Sequence, residues 1–206
     1  MTFEKELREA LTAFAAKGYE THYVQNRDAA LELCLKFATP GCTTAMGGST
    51  TLREIGLPER LRSAGVKIVE AAENATPEEH YRSRLNTLDV DVYYTGTNAL
   101  TRTGCLVNID GYGNRVAAQI FGPRKLVIVA GRNKLVGTLA EALYRVKFIA
   151  APPNVRRRNT GAPCGTAGIC TECAGDCRIC NDTVIIENVR FKGRNVLIMV
   201  DETLGF

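Results

Sequence analysis

The chain has 206 residues, with 26 Lys and Arg against 22 Asp and Glu, a net charge of +4. That balance is too mild to argue for nucleic acid, and no apolar run approaches the ~20 residues needed to span a bilayer. Neither nucleic acid nor a membrane is therefore an expected partner, and a hydrophobic content of 45% is ordinary for a globular protein.

Met1 to Ala10 carries acids and no apolar signal segment, which points to the cytoplasm. Eight cysteines in such a chain read as thiols or metal ligands before disulfides. Phe3 to Lys17 has Leu7, Leu11 and Phe14 at helical spacing and ends at Gly18, so it is expected to be an amphipathic helix. Thr21 to Val24 reads as a strand. A helix capped by Asn26 or Asp28 follows, running to Ala38 with Cys34 on its apolar face.

Thr43 to Met46 is a short β run that enters Gly47-Gly48-Ser49-Thr50-Thr51. This strand, Gly-rich turn and helix start has two readings. Its backbone N–H groups and hydroxyls suit an anion, or Ser49 or a neighbouring Thr is a plain helix cap. The loop lacks the Lys of a P-loop and the spacing of a dinucleotide fingerprint. Leu57 to Ala64 is a second short helix and Val66 to Val69 a strand. Thr76-Pro77-Glu78-Glu79 is a capping box that starts a helix running to about Leu88.

Val90 to Tyr94 is the next strand, and Thr97 and Asn98 stand in the polar loop after it. Thr101 to Gly104 reads as a hairpin turn. The apolar run Leu106 to Ile109 ends in Asp110, with Asn114 and Arg115 close behind. Polar groups at strand ends are where open α/β sheets place ligands. Arg115 offers a bidentate fork for a carboxylate or phosphate, although Arg115 and Asp110 can equally pair with each other. Leu126 to Ala130 reads as a strand buried on both faces, and a helix from Thr138 to Ile149 follows. Pro152-Pro153 is expected to end the alternation. Thr183 to Glu187 and Val196 to Val200 then read as a closing hairpin or late strands, with Lys192-Gly193-Arg194 as the turn.

The pattern predicts an α/β fold, a parallel-rich sheet flanked by helices. Residues 1–150 form the core, and 151–206 a cysteine-rich segment with closing strands packed on it. Candidate ligand residues are Gly47, Gly48, Ser49, Thr50, Thr97, Asn98, Asp110, Asn114 and Arg115, and the ligand expected is a small anion. The tail places Cys164, Cys170, Cys173, Cys177 and Cys180 in two tight C-x-x-C pairs plus one. Spacing this short suits iron–sulfur ligation better than zinc ribbons, which separate their pairs more widely. Zinc or metal-free thiols are the alternatives. No nucleophile with an adjacent base is evident, so an enzymatic role is left open.

Several segments together resemble the LUD-domain family, which includes the lactate-utilisation proteins. They are Met46-Gly47-Gly48-Ser49, Glu54-Ile55-Gly56, Tyr94-Thr95-Gly96-Thr97-Asn98-Ala99-Leu100-Thr101 and Leu106-Val107-Asn108-Ile109-Asp110-Gly111. Gly113-Asn114-Arg115-Val116, Phe121-Gly122-Pro123, Asn133-Lys134-Leu135-Val136, Pro163-Cys164, Cys170, Cys173 and Arg178-Ile179-Cys180-Asn181 complete the set. The resemblance implies a fold similar to ribose-5-phosphate isomerase and the CoA transferases. It also implies a link to lactate oxidation alongside iron–sulfur partner proteins. Cys177 departs from the family's pattern. Arg102 stands where related isomerase-like folds often carry an acid, which removes a general base there. The residues also fit a non-redox domain that binds or transfers a phosphate or CoA ester, or an assembly partner.

Overall fold

A computed structural model describes residues 3–206. In chain order the first half runs α1 (Phe3–Ala16), β1 (Glu20–Val24), α2 (Arg27–Leu35), β2 (Thr43–Met46), α3 (Thr50–Glu54), α4 (Leu57–Ser63), β3 (Lys67–Ile68) and α5 (Pro77–Asn86). Then come β4 (Val92–Gly96), β5 (Ala99–Thr101), β6 (Leu106–Asp110), α6 (Asn114–Ile120), β7 (Lys125–Gly131) and β8 (Leu135–Val136). The rest is α7 (Leu139–Tyr144), a π-helical segment (Arg145–Ala150), α8 (Ala151–Arg158), α9 (Pro163–Ala167), β9 (Asp182–Ile186) and β10 (Asn195–Val200).

Six strands form one sheet in the order β1-β10-β7-β4-β2-β3, with every pairing parallel. The expected α/β architecture is thus present. Period-two alternation sorts the central strands onto two cores. Leu126, Ile128 and Ala130 of β7 pack with Leu7, Leu11 and Phe14 of α1. Val127 and Val129 pack with Cys34, Leu52, Leu57 and Leu61 from α2, α3 and α4. Burying each such side chain contributes roughly 1.5–3 kcal/mol, which fixes the register of β7.

A second sheet has the order β8-β5-β6-β9. Leu100 and Leu106 of this sheet join the α1 side of the main core, while Ala99 and Val107 pack on Ala142 and Val146. The run 106–109 therefore belongs to a separate mixed sheet, antiparallel to both β5 and β9.

Two expectations are corrected, and one helix is new. Of the two readings of the closing segment, late strands hold and the hairpin fails, because β9 pairs with β6 and β10 lies between β1 and β7. The helix expected to stop at Ile149 runs on through Pro152-Pro153. The π-helical turn ahead of it and the place of both prolines in the first turn of α8 let the chain stay helical from Leu139 to Arg158. Helix α6, which the sequence pattern did not announce, begins after a Gly113 in the left-handed conformation that offers no side-chain cap.

Candidate functional site

Strands β2 and β4 are parallel neighbours, so both end at the same edge of the sheet. After β2 the chain turns tightly, with the Ser49 N–H donating to Gly47 O at 2.7 Å. Ser49 is the N-cap of α3, its Oγ accepting from the Leu52 N–H at 3.2 Å. The cap reading of this loop therefore holds. It leaves the loop's outer side facing a cleft.

After β4 the chain passes Gly96 and enters Thr97 and Asn98. A Cβ at Gly96 would sit 2.8 Å from Ser49 Oγ. Only glycine allows the two loops to approach this closely, without any unusual backbone angle. Gly47 is similarly confined, since a Cβ there would sit 3.1 Å from Arg115 Cδ.

The second loop is held by a buried polar network. The Asn98 N–H donates to Asn108 Oδ1 at 3.1 Å, and the Ile109 N–H donates to Asn98 Oδ1 at 3.0 Å. Thr97 Oγ1 lies 3.2 Å from Asn108 Oδ1. Asn108 Nδ2 donates to Gln119 Oε1 at 2.9 Å. Arg115 closes the network by donating to Asn108 Oδ1 (2.7 Å), Ile109 O (2.7 Å), Asn98 Oδ1 (3.0 Å) and Gly96 O (3.5 Å). Its guanidinium is therefore occupied by protein acceptors, and burial lowers its pKa. It supplies the cleft with positive charge and a fixed loop more than with a free fork.

Asp110 has a structural task. Its Oδ2 accepts from the backbone N–H groups of Arg115 and Val116 at 3.1 and 3.2 Å, so it caps α6 from outside the helix. Its contact with Arg115 Nε is longer, 3.9 Å.

The cleft gathers Gly48, Ser49, Thr50, Thr97, Asn98 and Arg115 from the expected set, together with Thr51, Gly96, Lys134, Ala150, Asn154 and Phe206. Gly47, Asp110 and Asn114 are not among its lining residues. About 60 Å³ of it admits water-sized molecules. The space suits only a small ligand. The α7–α8 helix forms one wall, and Arg157 reaches across from it to Gly48 O at 3.4 Å.

Lys134 is the residue that sequence reasoning missed. It follows β7 on a short 3-10 turn, Arg132–Lys134, and is only 4% exposed. Its Nζ donates to Thr51 Oγ1 at 2.9 Å. Burial, then Arg145 and Arg115, bring its pKa down to about 7, against a weaker pull from Glu54. Arg145, also brought down by burial, to about 10, is anchored on Asn133 O at 3.0 Å and on Asn98 O. Three cations thus converge where the only strand-end signal in the sequence was an Asn-Lys pair after an apolar run. Nothing in that local pattern marks the lysine as buried.

The five tail cysteines lie on and after α9. Among the described residues, no three His, Cys, Asp or Glu side chains are grouped closely enough to hold a metal ion. They are nonetheless not equivalent. The thiol of Cys164 is raised by burial and then by the charges of Cys173, Cys170 and Cys180. That of Cys180 is raised by burial and also by Cys173 and Cys170, against Arg178. Cys177 takes no part in either set, and its Sγ lies 4.0 Å from Ala174 O. Arg178 ties the segment together by donating to Cys173 O at 2.7 Å and to Cys180 O at 3.1 Å.

With this geometry established, comparison with known proteins gives two results. The LUD domain matches residues 7–200 of the chain. The fold is similar to the crystal structure of a DUF162 family protein from Deinococcus radiodurans, at 14% identity and a TM-score of 0.55, covering 97% of this chain and 98% of that one. No curated protein sequence matches.

Proposed function

The chain belongs to the LUD domain family, which is associated with lactate utilisation, and from that premise we propose that its cleft binds a small carboxylate of the 2-hydroxy-acid class. The observation that carries this reading is a cleft lined by Lys134 and Arg115 with hydroxyls from Ser49, Thr50 and Thr97, with the charge of Arg145 felt at Lys134 from behind the lining. A buried cation that lacks a carboxylate partner is stabilised by an anion from solution. The small cleft favours a ligand as compact as lactate over a bulkier one.

In this reading the tail carries an iron–sulfur cluster, with Cys164, Cys170, Cys173 and Cys180 as its ligands and Cys177 as a bystander. The donor chemistry fits, since Cys164 and Cys180 both feel the charges of Cys170 and Cys173 and Arg178 lies among them to offset thiolate charge. The loop must draw in further for all four sulfurs to reach one group. When bound, a cluster would supply one-electron transfer to a redox partner protein. Zinc on the same thiols is the second reading, since thiolate is a zinc ligand as well.

Calorimetric titration with lactate, inorganic phosphate and a CoA ester tests the cleft. Saturable lactate binding is expected. Binding of phosphate or the CoA ester with no response to lactate would replace the reading with that of a phosphoryl or acyl-CoA domain. Iron and sulfide analysis after anaerobic purification tests the tail. Zinc, or thiols without metal, in protein prepared that way removes the redox assignment.

A further inference from the structure

We propose that Lys134 is a covalent catalyst, whose amine condenses with the carbonyl carbon of a small 2-oxo acid held in the cleft. The proposal deepens the anion-binding reading and rests on it.

A lysine buried for structural reasons is ordinarily paired with a carboxylate. Lys134 is not. Among the described residues no carboxylate lies within 4.0 Å of its Nζ, and Thr51 Oγ1 at 2.9 Å is its hydrogen-bond partner. Its charged neighbours are mainly cations, Arg145 and Arg115, with Glu54 as the opposing acid. Both arginines are pinned. Arg145 is fixed on Asn133 O and Asn98 O, and Arg115 on Asn98, Asn108 and Ile109 O. The electrostatic field at Nζ is therefore built into the fold.

Desolvation beside another cation is the arrangement that turns a lysine into a nucleophile at neutral pH. With a pKa of about 7, about half of Lys134 is the free amine at pH 7. For an exposed lysine at ~10.4 the fraction is about a thousandfold smaller.

The same cleft explains the class of substrate. The arginine charges and the Ser49 and Thr97 loops suit a carboxylate, while the amine needs an electrophilic carbon. A 2-oxo acid carries both within two bonds. In the step itself, the amine lone pair forms the C–N bond and the carbonyl π electrons move to oxygen. A proton passes from nitrogen to that oxygen, with the Thr51 hydroxyl in place to relay it. Loss of water then leaves the C=N bond. Amine and ketone give imine and water, so no oxidant or reductant is required. The protonated imine can draw electrons from the adjacent carbon.

The test is reductive trapping of the full chain with pyruvate and cyanoborohydride at pH 7, mapped by peptide mass spectrometry, with thermal shifts by pyruvate and lactate measured in parallel. A carboxyethyl adduct concentrated on Lys134, slowed by excess lactate and absent from Lys134→Arg, is the expected result. If pyruvate and lactate both shift the melting temperature but the adduct is absent or spread over surface lysines, covalent catalysis is overturned and anion binding stands. If neither ligand shifts the protein and no adduct forms, both readings fall. Should Lys134→Arg not fold, the mapping and lactate competition on the unaltered chain decide the matter alone.

Discussion

Replacing Arg115 with Met separates a structural arginine from a ligand-binding one. The methionine keeps the aliphatic stem and removes the guanidinium, whose side chain is 15% exposed. Four hydrogen bonds disappear. At about 1.5–3 kcal/mol for each bond to a charged group, a simple sum overstates the effect, because three of the four acceptors keep other donors. Asn98 Oδ1 retains the Ile109 N–H, Asn108 Oδ1 retains the Asn98 N–H, and Gly96 O retains Gln119 Nε2. What remains is about one charged hydrogen bond at Ile109 O plus an imperfectly filled space, together about 3 kcal/mol. For a chain of this size that corresponds to a melting temperature lower by about 6–12 °C. Urea unfolding with an unchanged m-value is the assay. A loss under about 1 kcal/mol, accompanied by abolished anion binding, would refute the network argument and return Arg115 to the role of a free fork.

Three further outcomes are expected. Lys134 has a folded pKa of about 7 against ~10.4 unfolded, so the unfolded chain binds more protons above pH 7 and stability rises with pH there, by at most ~1.4 kcal/mol per unit. The difference between the unaltered chain and Lys134→Met should show that rise between about pH 7 and 9 in denaturant titrations, and a flat difference contradicts the depressed lysine. Gly96→Ala drives a Cβ to 2.8 Å from Ser49 Oγ. It should cost about 1–3 kcal/mol and weaken any cleft ligand by calorimetry, whereas a neutral result means the two loops part freely. Asp110→Ala removes the external cap of α6 and should lower stability by about 0.5–2 kcal/mol in thermal melts, with anion affinity largely kept because Asp110 does not line the cleft.

The sequence made the main frame legible wherever one local signal sufficed. The Asn26 cap, the Thr76–Glu79 capping box and the twice-buried β7 all carry their signal within a few residues. Helix α6 was hidden because its cap, Asp110, belongs to the preceding strand and reaches it only after the loop has folded back. The helix end at Ile149 was misplaced because a π-helical turn resets the hydrogen-bond register just ahead of Pro152 and Pro153. Of the cleft, the glycine and hydroxyl loops were legible as strand-end polar clusters. Lys134 was not, since its importance comes from burial and from Arg145, which a later helical segment brings beside it. Arg115 and Asp110 were recognised as neighbours, but their division of labour depends on Asn98, Asn108 and the start of α6, which only the folded chain brings together.

The position of β10 has a kinetic consequence. Strand β1 pairs only with β10 in the sheet order, and Glu20 faces Val196, a separation of 196 − 20 = 176 residues. During synthesis β1 emerges early and waits for the whole intervening chain before its partner exists. Until then β7 also presents an unpaired parallel edge, and pairings of such long reach form slowly. Helix α1, which buries Leu7, Leu11 and Phe14 against the sheet, is the element placed to shelter the nascent edge. Closing the sheet thus couples β1 to β10, strands made far apart in the course of synthesis.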